Sequence, residues 1–206
     1  MKSLKPKLVL ITGLSGSGKS IALRSLEDLG YFCIDNLSPT MIIQMLGVIK
    51  KSHQKVYEKV AISIDIRSIK MDNDYQKSIA ILYAELLKLD FKSTTIFLHS
   101  SNEILLSRFN ATRRLHPLTN KKVDLRTAIL KEAEIMQKLK ENANLIIDTD
   151  KLLPLDLKKE ISSKILIIKD NKDMLIQLQS FGYKNSIPNE SDFVFDVRCL
   201  KNPFWD

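Results

Sequence analysis

The run Gly13-Leu14-Ser15-Gly16-Ser17-Gly18-Lys19-Ser20 holds the means to bind a chain of phosphates. Its GxxxxGK[ST] spacing lets the glycines turn the backbone so that successive N–H groups face an anion. Lys19 then reaches the β and γ oxygens of a purine nucleoside triphosphate, and the Ser20 hydroxyl can ligate Mg2+. A helix opening at Lys19 adds its positive end to the same site. A serine-glycine loop without function fits the bare pattern equally well, so the elements on either side decide. A strand before the loop and a helix after it are both predicted.

Four further groups belong with this chemistry. Asp65 closes an apolar run, Val60–Ile64, where phosphate-binding loops keep an acid that holds Mg2+ through water; a strand-end carboxylate bonding its own turn is the alternative. Asp35 also follows a strand, at the same carboxyl edge of a parallel sheet. There it either orients a water or acceptor hydroxyl or caps a turn with Asn36. Thr112-Arg113-Arg114-Leu115-His116-Pro117 sits between two predicted helices. In that place an arginine lid closes on phosphates, because the planar guanidinium pairs bidentately with their oxygens. One of Arg113 and Arg114 is expected in that role, and His116 is expected to be structural.

These groups need a scaffold, and the chain alternates strand-length apolar runs with segments of helical period, the pattern of a mostly parallel α/β sheet. Strands are predicted at 8–12, 31–34, 60–66, 94–98 and 145–147. Helices are predicted at 19–29 with Gly30 as a stop, at 39–51 after the cap Ser38 and Pro39, at 74–89, and at 124–142. Another opens through a capping box at Ser100-x-x-Glu103 and runs to Phe109. The expected fold is an α/β P-loop NTPase with a five-stranded, mostly parallel sheet flanked by helices, nucleoside-kinase-like, over residues 1–153. Pro154 marks a boundary. After it come a short helix at 155–163, a strand at 165–168, a helix at 173–181 stopped by Gly182, and a strand at 193–197. Residues 164–206 read as the start of a truncated C-terminal α/β segment.

Composition fits this scaffold. The chain has 206 residues, 44% hydrophobic and 27% charged, so a packed core is expected and disorder is not. No stretch reaches the ~18 apolar residues of a membrane span, and the short run Leu8–Ile11 is no signal sequence, so the chain reads as cytoplasmic. Cys33 and Cys199, with no metal-type spacing, read as reduced structural thiols. The net charge of +8 is clustered, with Lys2, Lys5, Lys7, Lys19 and Arg24 unopposed by any acid up to residue 24. Arg108, Arg113, Arg114, Lys121, Lys122 and Arg126 face only Asp124. Such clusters favour phosphate-bearing partners.

At several of these residues the chain resembles a known family. The P-loop, the run Leu26-Glu27-Asp28-Leu29-Gly30-Tyr31-Phe32-Cys33-Ile34-Asp35-Asn36-Leu37, Asp65-Ile66-Arg67 and Thr112-Arg113-Arg114-Leu115-His116-Pro117-Leu118 look like the RapZ/YvcJ family of bacterial nucleotide-binding proteins. Ser180-Phe181-Gly182-Tyr183-Lys184 and the stretch from Asp196-Val197-Arg198 to Trp205-Asp206 extend the match. The resemblance implies binding of ATP and GTP with slow hydrolysis, ATP at Gly13–Ser20 and GTP contacts at Asp65, Ile66, Arg67 and Ser68. In enterobacteria the family includes an RNase adapter that binds small regulatory RNA, senses an amino-sugar phosphate and works with RNase or sensor-kinase partners. That role belongs largely to a C-terminal domain, of which residues 164–206 are expected to be only the first part.

The leading expectation is therefore a regulatory nucleotide-binding protein with weak ATPase or GTPase activity at most. A small-molecule kinase using the same loop and lid is the alternative, and an RNA-binding adapter using the basic faces is a third. Exposed strand edges of an incomplete C-terminal sheet would favour a homo-oligomer.

Overall fold

In β1 (Lys7–Gly13) Leu8 and Leu10 face one side of the strand and Val9 and Ile11 the other, and all four are buried. A strand apolar on both faces must be covered on both, which a parallel sheet with crossover helices achieves. The computed structural model describes residues 7–52, 54–70, 74–88, 92–167, 182 and 193–200.

The chain runs from β1 through α1 (Lys19–Asp28), β2 (Phe32–Ile34), α2 (Pro39–Lys51), β3 (Lys59–Ser63), α3 (Ile66–Ile69), α4 (Tyr75–Lys88) and β4 (Lys92–His99). It continues through α5 (Asn102–Thr112), α6 (Leu125–Glu141), β5 (Leu145–Asp148) and α7 (Pro154–Ile167). The strands form one five-stranded sheet in the order β2-β3-β1-β4-β5. Every pairing is parallel, with Val9 opposite Ala61 on β3 and Thr94 on β4. Leu8, Leu10 and Ile62 pack with Ile42 and Leu46 of α2, Leu82 of α4 and Met136 of α6. On the other face Val9, Ile11 and Ala61 meet Ala22 and Leu26 of α1 and Leu157, Ile161 and Ile165 of α7. The loops that leave the carboxyl ends of β1, β2 and β3 therefore share one edge of the sheet.

Local signals account for two of these element ends. Ser38 caps α2, its hydroxyl accepting the Met41 N–H at 3.3 Å with Pro39 in the first turn. Gly30, at φ 79°, follows the end of α1.

Four expectations are corrected. The strand predicted to run to Ile66 stops at Ser63, because Asp65 instead caps α3, accepting the Arg67 and Ser68 N–H groups while the Ser68 hydroxyl accepts the Asp65 N–H. The Ser100–Glu103 capping box does not form. Ser101 is the N-cap, and the Ser100 hydroxyl donates to Asp150 at 2.6 Å, a tertiary bond that outcompetes the local one.

The segment predicted as a strand at 165–168 is helical through Ile167, because Ile161 and Ile165 continue the apolar stripe of α7 against α1. The first compact unit spans Met1–Lys169 and the second Asp170–Asp206. In the second unit Phe193–Val197 forms no strand and its side chains are exposed; Asp196 pairs with Arg198 at 2.6 Å. The helix predicted at 173–181 and the motif at 180–184, apart from Gly182, lie outside the described residues.

Candidate functional site

Between β1 and α1 the backbone turns through Gly13, Gly16 and Gly18 with φ of 139°, 86° and 104°. Side-chain-bearing residues avoid this half of conformational space. Gly13 also brings the strand end against β4, where the Leu14 N–H donates to the Leu98 carbonyl at 3.3 Å. The Ser17 N–H turns back to the Leu14 carbonyl, and the Ser15 N–H goes to Glu132. Among the described residues the Gly16, Gly18, Lys19 and Ser20 N–H groups have no hydrogen-bond partner. Four free donors around the first turn of a ten-residue helix make an anion cradle, strengthened by the helix dipole.

Lys19 folds back over the loop, its ammonium donating to the Gly13 and Leu14 carbonyls at 2.8 and 3.0 Å. An ammonium carries three donors, so one remains for a ligand. Desolvation lowers its pKa, while the charges of Glu132, Asp65 and Asp35 raise it and that of Arg67 lowers it. Glu132 of α6 and Asp65, Asp35 and Arg67 beyond the strand ends thus all act on the charge of this lysine. Leu14 is buried and Ser20 lies exposed on the first turn of α1.

Asp65 is buried and fully engaged. One oxygen caps α3, and the other takes Arg67 Nε and Nη2 at 2.9 and 2.6 Å. Burial opposes its charge, but the Arg67 hydrogen bond and the Lys19 charge prevail and hold its pKa below the usual value. The neighbouring Ile66 and Ser68 are turned inward, Ile66 into an apolar cluster and Ser68 into the capping box. Arg67 alone of Asp65–Ser68 offers an exposed side chain.

Asp35 is exposed just beyond β2, beside Asn36 at φ 63°. Arg113 and Arg114 are also exposed, where α5 ends, and Arg113 holds a left-handed φ of 51° as its C-cap. His116 is buried, its ring 5.1 Å from that of Phe109 and its Nε2 2.9 Å from Glu132.

Two further residues, Glu132 and Arg108, hold the loop. Glu132 is fully buried, and both of its oxygens bond Ser15. Its signal was present, since it falls on the buried stripe Ala128, Ile129, Met136 and Leu139 of α6, where an acid is out of place. Arg108 donates to the Gly16 carbonyl at 3.1 Å and to the Thr149 hydroxyl and carbonyl, bridging the loop to the segment after β5. Nothing local in the sequence separates it from other surface cations.

The family model of the RapZ-like N-terminal domain matches residues 6–169, and that of the RapZ C-terminal domain matches residues 174–206. The chain belongs to the RapZ-like family. A relative named nucleotide-binding protein, from Shewanella baltica, is 42% identical over 200 residues, covering 97% of this chain and 67% of the relative. One of the same description from Shewanella putrefaciens is 41% identical over the same shares. Among solved structures, a shikimate kinase from Acinetobacter baumannii in complex with shikimate superposes with a TM-score of 0.50 at 16% identity. The match covers 79% of this chain and 93% of the kinase. The RapZ-like fold is thus a kinase-like five-stranded parallel sheet flanked by helices. Among the described residues no helix is long and apolar enough to cross a membrane.

Proposed function

We propose that this chain is a regulatory nucleotide-binding protein that takes ATP or GTP with Mg2+ at Gly13–Ser20 and hydrolyses it slowly. The observation that carries the proposal is the set of four unpartnered N–H groups, Gly16, Gly18, Lys19 and Ser20, around one helix N-terminus. In this reading the Lys19 ammonium turns from the loop carbonyls toward the β and γ oxygens. Arg113 or Arg114, free in solvent, closes on the same oxygens.

The donors present suit Mg2+. A hard cation of octahedral habit takes oxygens and keeps several waters, and Ser20 supplies one exposed hydroxyl. Asp65 would act through water, because Arg67 already occupies its free oxygen. Among the described residues no group of three or more His, Cys, Asp or Glu side chains is placed to hold a metal. In this reading the ion comes with the phosphates, whose charge it offsets. The GTP contacts suggested by the family resemblance at Asp65–Ser68 reduce here to Arg67, a partner for phosphate oxygens more than for a base.

Titration with Mg2+–ATP and Mg2+–GTP, wild type against Lys19→Ala, tests the reading; equal affinity in the two proteins would refute it. Exposed Asp35, at the edge where a kinase-like fold can hold an acceptor, favours the small-molecule kinase as second reading. Rapid ATP-dependent turnover of a metabolite would establish that instead. The adapter role, with small regulatory RNA and an RNase or sensor-kinase partner, draws support from the net charge of +8. It requires RNA binding that weakens steeply with salt, and absence of binding at low salt would remove it.

A further inference from the structure

A carboxylate in an apolar core is costly unless every oxygen is engaged, and Glu132 meets that condition in an unusual way. Its Oε1 accepts the Ser15 hydroxyl at 2.7 Å, and its Oε2 accepts the Ser15 N–H and lies 2.9 Å from His116 Nε2. The other ring nitrogen, Nδ1, accepts the Leu118 N–H at 3.1 Å. The imidazole proton is therefore on Nε2 and is donated to Glu132. Three donors from two segments converge on one side chain of α6. The first segment is the P-loop at its third residue. The second runs from Arg113 to Leu118 and carries both exposed arginines.

A leucine at position 132 would complete the buried stripe of α6 without desolvating a charge, so core packing alone does not account for the acid. Two consequences of the geometry do. Glu132 takes the Ser15 N–H out of the phosphate cradle, which leaves the Gly16, Gly18, Lys19 and Ser20 donors as the free set. It also supplies a fixed negative charge beside Lys19, countering the desolvation of that ammonium.

We propose that Glu132 is a positioning residue that sets the shape of the P-loop through Ser15 and, through His116, ties that shape to the arginine-bearing segment, so that nucleotide occupancy and lid placement are coupled. This rests on the nucleotide-binding reading above. Any ligand that reseats Ser15 must move the Glu132 carboxylate or strain its bonds. His116, held from its other nitrogen by the backbone of Leu118, passes that movement to the chain three residues after Arg113.

The test uses the full chain carrying Glu132→Gln, which keeps the volume but puts an NH2 group where one oxygen faced a donor. At a temperature where circular dichroism shows both proteins folded, Mg2+–ATP affinity is expected to fall about tenfold. A second readout is tryptic cleavage after Arg113 and Arg114, followed by mass spectrometry with each protein saturated in ATP. Nucleotide is expected to slow this cleavage in wild type and to leave it unslowed in Glu132→Gln. Wild-type affinity together with wild-type protection would make Glu132 a mere buttress and overturn the proposal. If the Gln variant does not fold, Ser15→Ala removes a single hydroxyl donor at the loop. It is expected to weaken ATP binding about threefold, and unchanged affinity would overturn the proposal equally. Failure of the wild type itself to bind ATP is a separate result, which overturns the nucleotide reading along with it.

Discussion

Gly13→Ala should unfold this protein at a markedly lower temperature, and the cause lies in the sheet as well as in the ligand loop. A Cβ at position 13 would stand 2.8 and 2.9 Å from the backbone N and C of Leu98, and closer still to the Leu98 carbonyl oxygen. These atoms belong to β4 and cannot rotate away. Gly13 and Leu98 are register partners in the β1–β4 ladder, so relief requires prying the two strands apart. The native φ of 139° adds strain for any residue with a side chain, about 1–3 kcal/mol, and overpacking against immovable backbone adds about 1–3 kcal/mol more. Together the loss is about 2–6 kcal/mol, about 4 at the middle of the range. At roughly 2–4 °C per kcal/mol for a unit of this size, the melting temperature should drop by about 10 °C. Gly18 is the internal comparison, since a Cβ there meets only the Leu157 Cδ2 methyl, at 2.5 Å, which can swing aside. Calorimetric scans of the two alanine variants measure both effects. A Gly13→Ala melting temperature within 2 °C of wild type, or below which Gly18→Ala falls, would refute the reasoning.

Three further outcomes follow from the described contacts. Asp65 has a folded-state pKa below its unfolded value, so the stability it contributes is present above the unfolded pKa, near ~3.9, and is lost as pH falls through the folded pKa. Arg67→Ala should therefore raise the Asp65 pKa and shift acid unfolding to higher pH, as an NMR titration would show; an unmoved Asp65 would remove Arg67 as the cause. Burial, with Glu27 nearby, pushes the Cys33 thiol up to about 11 while Cys199 is exposed. At pH 8 only about one Cys33 in a thousand is thiolate, and mass spectrometry after brief iodoacetamide treatment should find Cys199 labelled first. Ile161→Ala, emptying a fully buried site where α7 meets α1, should cost about 2–5 kcal/mol by denaturant unfolding. A cost under 1 kcal/mol would mean that α7 is not part of the first unit's core.

What the sequence conveyed best was whatever depends on neighbours along the chain. The P-loop glycines, Ser38 with Pro39 and the alternating apolar faces of β1 each act within a few residues, and the sheet followed from them. The errors arose where a distant partner overrode a local preference. Ser100 abandoned its capping box for Asp150, 50 residues away. Asp65 is the exception, a local one: it reads from sequence as a strand end because Ile64 and Ile66 are both apolar, yet its carboxylate caps a helix through the Arg67 and Ser68 N–H groups. The stretch 165–167 has the composition of a strand, but Ile165 falls on the spacing of the α7 stripe, and its burial against α1 decided for helix. The pairing of Glu132 with Ser15 spans 117 residues, so only its misplaced charge on an apolar stripe was visible. The exposed arginines of the lid segment show the opposite case. Their residue types suggest a phosphate role, and both side chains are exposed at the end of α5.

The most direct test of the nucleotide site is an amide spectrum of the protein titrated with Mg2+–ATP. The Gly16, Gly18, Lys19 and Ser20 resonances, free of protein partners in this structure, should move together to saturation and should stay in place in Lys19→Ala at the same concentrations. Saturable ATP binding that left these four resonances unmoved, or no binding at all, would contradict the assignment.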